Sequence, residues 1–197
     1  CRLAGLEVEV SVAAADDPAA RAELLMRSSS ILLPCLIHGE VTVWDTLAIA
    51  EYLNETFPKA GLLPENRAAR ARSRSISGEM HSGFSALRSS LPMNLRAHVP
   101  DFTLWSGPKA DIDRILTIWN ECLEKWGGPW LFGARPGIAD AMYAPVVTRF
   151  LTYGVRLDGA AARYADTIMS WPDMAEWVAA AKAEPEHVTE LDLEAEF

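Results

Sequence analysis

The run Leu32-Leu33-Pro34-Cys35-Leu36-Ile37-His38-Gly39-Glu40-Val41-Thr42-Val43-Trp44-Asp45-Thr46 decides how this chain folds. It holds two apolar stretches, Leu32 to Ile37 and Val41 to Trp44, separated by His38-Gly39-Glu40, which predicts a β-hairpin with glycine at the turn. Proline in the first stretch places Leu33-Pro34 where the strand does not need that N–H. Asp45-Thr46 follows at once. Ile49, Ala50, Leu53 and Phe57 then recur at helical spacing, so a helix begins at that dipeptide and stops near Phe57-Pro58.

Toward the N-terminus, Glu7 to Val12 alternate polar and apolar, which predicts a strand with Val8, Val10 and Val12 on one face. Arg2 to Leu6 reads as the last turn or two of a helix, with Gly5 near its stop. Residues 19–27 are expected to form a short helix. Toward the C-terminus, two prolines and a glycine between Pro58 and Pro64 mark a linker.

Past the linker the apolar period becomes helical. Ile76, Met80, Phe84, Leu87, Leu91 and Leu95 predict one long amphipathic helix, and Ile112, Ile115, Leu116, Trp119, Cys122, Leu123 and Trp126 predict another. Residues 138–153 are apolar almost all round, apart from Asp140, Thr148 and Arg149, which places that helix at the centre of a bundle. Shorter helices are expected at about 158–169 and 172–183. The organisation that follows is a mixed domain at 1–57, a linker at 58–65 and an all-helical domain at 66–197.

Composition narrows the function. The 197 residues are 50% hydrophobic and 23% charged, the balance of a folded chain. A formal net charge of -9 disfavours nucleic acid as a partner, because phosphate neutralisation needs a basic face. No apolar run approaches the roughly 20 residues that cross a bilayer, so no membrane partner is expected. Three cysteines, Cys1, Cys35 and Cys122, lack Cys-x-x-Cys spacing, which argues against a zinc site or a disulfide framework and fits a cytoplasmic location. Acidic residues concentrate early: residues 1–65 carry 4 basic and 10 acidic side chains, residues 66–197 carry 14 and 17.

A strand, an X-Pro hairpin, a helix opened by an acidic-hydroxyl pair, a proline-rich linker and a helical domain, in that order, resemble the cytosolic glutathione S-transferases, bacterial members most. The resemblance runs from Cys1-Arg2-Leu3-Ala4-Gly5-Leu6 through Trp44 to Leu53 and on to Phe132-Gly133 and Ile138-Ala139-Asp140. It implies an α+β thioredoxin-like N-terminal domain followed by an all-α bundle. It also implies that Leu33, before a cis Pro34, binds the cysteinyl part of glutathione through its backbone. Thr46 would hold the γ-glutamyl carboxylate at a helix N-terminus and Asp45 would take the ammonium.

The same resemblance implies that the family's first strand, and the Ser, Cys or Tyr that activates the thiol, precede Cys1 by roughly 15 to 20 residues of strand, loop and helix. Cys1 is then a small packed thiol of the first helix. The implied chemistry is conjugation of glutathione thiolate to a small hydrophobic electrophile by a homodimer, with glutathione as co-substrate and no permanent cofactor or metal. Met80, His81 and Phe84 are the candidates for the electrophile site, and packing is the competing role for Met80 and Phe84. Asp140 reads as structural, accepting from the N–H of Gly137. Glutathione-dependent isomerisation or dehalogenation is the alternative chemistry, and a noncatalytic protein-interaction module the alternative class.

Overall fold

Gly39, at φ 61°, turns the chain between β1 (Leu36–His38) and β2 (Val41–Val43), which pair antiparallel with Leu36 opposite Val43 and His38 opposite Val41. The computed structural model in which this hairpin is seen describes residues 1–12, 18–28 and 30–185. It divides into two compact units, Cys1–Leu63 and Pro64–Phe197, a division that falls inside the proline-rich segment. The first unit combines a small sheet with helices and the second is helical, which is the α+β thioredoxin-like and all-α architecture expected.

In the first unit, helix α1 (Pro18–Arg27) precedes the hairpin and α2 (Thr46–Thr56) follows it. His38 at the end of β1 meets Tyr52 of α2, with 2.8 Å between Nδ1 and the hydroxyl, and its ring lies 6.1 Å from that of Phe57. The start of the chain is a single 3-10 turn, Arg2–Ala4, closed by Gly5. Two expectations fail here. Residues 7–12 form no strand: among the described residues the one ladder is β1 with β2, and Val8, Val10 and Val12 are 46%, 78% and 92% exposed. Alternation makes a strand only when a neighbouring edge satisfies its backbone groups. Cys1 is exposed instead of packed, because a three-residue turn offers it no buried helix face.

The second unit opens on α3 (Arg67–Ser82), where Asn66 caps the helix by accepting from Ala68 and Ala69 at 2.9 and 3.0 Å. The long helix expected through Leu95 is broken. Gly83 leaves α3 in an extended conformation, and Phe84, at φ 56°, precedes a short α4 (Ser85–Ser90). A Cβ at Gly83 would lie 2.6 Å from the Glu79 carbonyl oxygen, so glycine fits this exit and a larger residue does not. The apolar stripe survives the break, since Ile76, Met80, Phe84, Leu87 and Leu91 are all buried.

Helices α5 (Ser106–Trp126), α6 (Ile138–Thr152), α7 (Gly159–Ser170) and α8 (Pro172–Ala183) complete the bundle. Helix α6 is its centre, burying residues on every side from Ile138 to Thr152. Trp119 of α5, fully buried, packs its ring 6.1, 5.4 and 5.0 Å from Tyr143, Phe150 and Tyr164. Burying side chains of this size supplies most of the drive to fold the bundle. No described helix is long and apolar enough to cross a membrane.

Candidate functional site

Antiparallel pairing brings the start of β1 beside the end of β2. With Leu36 opposite Val43, Leu33-Pro34 enters the hairpin at the same open end from which Asp45-Thr46 leaves it. Pro34 and Asp45 each lie two residues beyond the ladder, whose last pair at this end is Leu36 with Val43. The four residues named from the sequence therefore share one end of one hairpin. The Leu33-Pro34 peptide bond is cis, and so is Trp44-Asp45. Leu33 is 47% exposed and its main chain makes no hydrogen bond among the described residues, and Pro34 is exposed as well.

Asp45 is the N-cap of α2. Its Oδ1 accepts from Leu47 N at 3.0 Å and from Ala48 N at 3.5 Å, satisfying two of the N–H groups that a helix start leaves without intrahelical partners. The carboxylate thus has a structural task whatever else it does. Thr46, the first residue of α2, is half-buried, and its hydroxyl meets no protein partner among the described residues. A hydroxyl beside the positive end of a helix dipole suits an anionic group. Beneath Leu33 lies a cavity of about 160 Å³ lined by Ser11, Glu23, Leu24, Ser28, Cys35 and Ile37 among others.

The remaining candidates belong to the second unit. Met80 and Phe84 are 9% and 7% exposed and pack in its hydrophobic core, as helical spacing allows. His81 is half-buried at the edge of that core, in the last turn of α3, and its carbonyl accepts from Arg88 Nη1 at 3.3 Å. Beside it, Glu79 takes Arg114 in a two-bond ion pair at 2.7 and 2.9 Å, which holds the Glu79 carboxyl below the usual carboxylate range. Sequence reasoning named neither member of that pair. Glu79 and Arg114 lie on different helices, α3 and α5, and only the folding of the bundle brings them within reach.

Asp140, 1% exposed, accepts from Gly137 N at 2.9 Å as the sequence implied. It also accepts from Leu131 N at 3.0 Å and from the Tyr164 hydroxyl at 3.1 Å. These two donors stand 9 and 24 residues away, beyond the reach of a local pattern. Burial outweighs the donors and pushes the Asp140 carboxyl up to about 6. Among the described residues no group of three or more His, Cys, Asp or Glu side chains could hold a metal ion.

Residues 109–180 match a family profile described as the glutathione S-transferase C-terminal domain. The chain is 27% identical over 121 residues to glutathione S-transferase 1 of Dianthus caryophyllus, covering 61% of this chain and 55% of that one. It is 31% identical over 130 residues to a probable maleylacetoacetate isomerase of Vibrio cholerae, covering 64% of this chain and 60% of the relative. The chain spans little more than half the length of the curated relatives it matches. Among solved structures, a Burkholderia glutathione transferase homologue crystallised with bound glutathione has the same fold, with a TM-score of 0.68 at 22% identity over 93% of this chain and 88% of that one. Glutathione S-transferase 1-6 of Anopheles dirus species B also scores 0.68, at 15% identity over 91% and 86% of the two chains.

Proposed function

The chain belongs to the glutathione S-transferase family, and from that premise we propose that it binds glutathione at the open end of the hairpin and conjugates its thiol to a small hydrophobic electrophile. The observation that supports the reading is the open end of the hairpin, flanked by the exposed Leu33 before β1 and, after β2, by the acidic cap Asp45 and by Thr46, whose hydroxyl meets no protein partner among the described residues. Extended glutathione would pair its cysteinyl backbone with Leu33 as an added strand. Its γ-glutamyl carboxylate would meet the start of α2 at Thr46, and its ammonium the Asp45 carboxylate.

In the reaction the thiol loses its proton to solvent, the thiolate attacks an electrophilic carbon, a C–S bond forms and the leaving group departs with its electron pair. The protein's part is to hold the reactants together and favour the thiolate. The residue that stabilises the thiolate belongs, on the family resemblance, upstream of Cys1. His81, at the edge of the core, is the candidate for facing the electrophile, and the burial of Met80 and Phe84 supports assigning them to packing. The family also implies a cytoplasmic homodimer, which sedimentation of the full-length protein would test.

A second reading is favoured by the 31% identity to the Vibrio cholerae relative: addition of glutathione to an unsaturated substrate, bond rotation, and release of glutathione with an isomerised product. Product analysis separates the two, since conjugation consumes glutathione and isomerisation returns it. The shared claim is glutathione binding. Full-length protein should be retained on immobilised glutathione and eluted by free glutathione; failure to bind, with no thiol consumption on a generic aryl halide, would remove the assignment.

A further inference from the structure

Helix α4 (Ser85–Ser90) begins without a cap of its own. Its N-cap residue is Phe84, whose side chain offers no acceptor to the N–H groups that a helix start leaves without intrahelical partners. Asp111 of α5 supplies one from across the bundle: its Oδ2 accepts from Leu87 N at 2.9 Å. A cap ordinarily comes from the residue beside the helix. Here it is delivered by the neighbouring helix against which α4 packs, 24 residues away along the chain.

One turn further along the same face of α5, Arg114 holds Glu79, near the end of α3, through two hydrogen bonds at 2.7 and 2.9 Å. A single turn of α5 therefore grips the chain on both sides of the break at Gly83 and Phe84. The gripped corner is strained. Phe84 is a bulky residue at φ 56° and ψ 39°, in the left-handed region, and such a conformation persists only where the surroundings over-determine it. His81 stands within this corner, and Arg88 of α4 donates back to its carbonyl at 3.3 Å.

We propose that Asp111 is a positioning residue for the electrophile site, acting through α4 and the corner at Phe84 on His81. The inference rests on the transferase reading for the word electrophile, and it deepens that reading by adding a residue that sets the site without touching the substrate. Leu87 is fully buried, so removing the carboxylate leaves its N–H without an acceptor where water does not reach. Helix α4 then loses its cap and its hydrogen bond to α5, and Phe84 relaxes from its strained conformation. His81 shifts with them, being three residues from Phe84 and bonded to α4 through Arg88. Arg114 cannot compensate, because it holds only the α3 side of the break.

The test uses full-length protein with Asp111→Leu, which removes both oxygens at nearly constant size, and Asp111→Asn, which keeps an acceptor. By NMR, the Leu87 amide should be protected in wild type and exchange about 10-fold or more faster in Asp111→Leu, with a shift of the His81 ring signals. Asp111→Asn should restore both. In the conjugation of glutathione to 1-chloro-2,4-dinitrobenzene, Asp111→Leu should raise KM for the chloride about 5-fold or more at an unchanged KM for glutathione. A variant that only folds less well would lose kcat and leave both KM values alone. Conjugation by wild type with an unprotected Leu87 amide, with His81 signals unmoved in Asp111→Leu, or with an unchanged KM for the chloride would overturn the positioning role and leave the transferase reading standing. No conjugation by wild type, with the Leu87 and His81 changes present in Asp111→Leu and reversed in Asp111→Asn, would overturn the transferase reading and support Asp111 as the residue that positions His81.

Discussion

Tyr164 donates its hydroxyl proton to Oδ1 of Asp140 across 3.1 Å, with both residues 1% exposed. The bond ties α7 to the first turn of α6, and the same carboxylate reaches Leu131 and Gly137 in the segment that leads into α6. One buried side chain thereby fixes three stretches of backbone. Its charge is disfavoured by burial and favoured by its donors, and burial wins, lifting its pKa from 3.8 to about 6.

A raised carboxyl pKa has a definite consequence for stability. The folded protein holds this proton more tightly than the unfolded chain, so the contribution is fully present below 3.8 and is lost as pH rises through about 6. Its size is about 3 kcal/mol, at 1.36 kcal/mol per unit. Asp140→Asn, which cannot titrate, isolates the effect from all other groups. Denaturant melts should show wild type gaining stability relative to the variant between pH 7 and pH 4; a constant difference would mean that the carboxyl stays ionised throughout.

Tyr164→Phe removes one donor to the carboxylate and leaves the ring in place. The expected loss is about 1–3 kcal/mol at pH 7, since a charged buried acceptor then goes short of a partner. The loss should shrink toward pH 4, where the acid is protonated. Equilibrium unfolding at the two pH values checks both statements.

Gly154, at φ 63°, lies against Pro100: an added Cβ would stand 2.3 Å from its carbonyl oxygen and 2.7 Å from its Cα. Gly39 has a similar φ of 61° with open space around it. Gly39→Ala should therefore cost only the backbone strain of about 1–2 kcal/mol. Gly154→Ala adds a clash with main chain and should cost about 3 kcal/mol or more, or prevent folding. Comparable melting temperatures for the two variants would contradict the close approach.

Asp45→Ala deletes the acceptor of Leu47 N and Ala48 N and should cost about 1 kcal/mol as a lost cap. If Asp45 also meets the glutathione ammonium, affinity for glutathione should fall about 10-fold or more, beyond what the stability change accounts for. Asp45→Ser keeps a cap and loses the charge, so it should restore stability without restoring affinity. Calorimetric titration with glutathione distinguishes the roles, and full affinity in Asp45→Ser would return Asp45 to capping alone.

The sequence by itself determined what depends on near neighbours. The hairpin and its glycine turn, the helix opened by Asp45-Thr46, the central helix at 138–152 and the acceptance by Asp140 from Gly137 all follow from periodicity and caps, which act within a few residues. The same local rules misread residues 7–12 and the stretch through Gly83. Alternation cannot say whether a second edge is present, and apolar spacing cannot register a break in the helix that leaves the stripe intact. Only the tertiary structure set Tyr164 and Leu131 on Asp140, Arg114 on Glu79, and Arg149 on the Leu91 carbonyl, because each is a contact between segments that no local period connects. It also set the two flanks of the hairpin side by side, since pairing Leu36 with Val43 brings the chain before β1 next to the chain after β2.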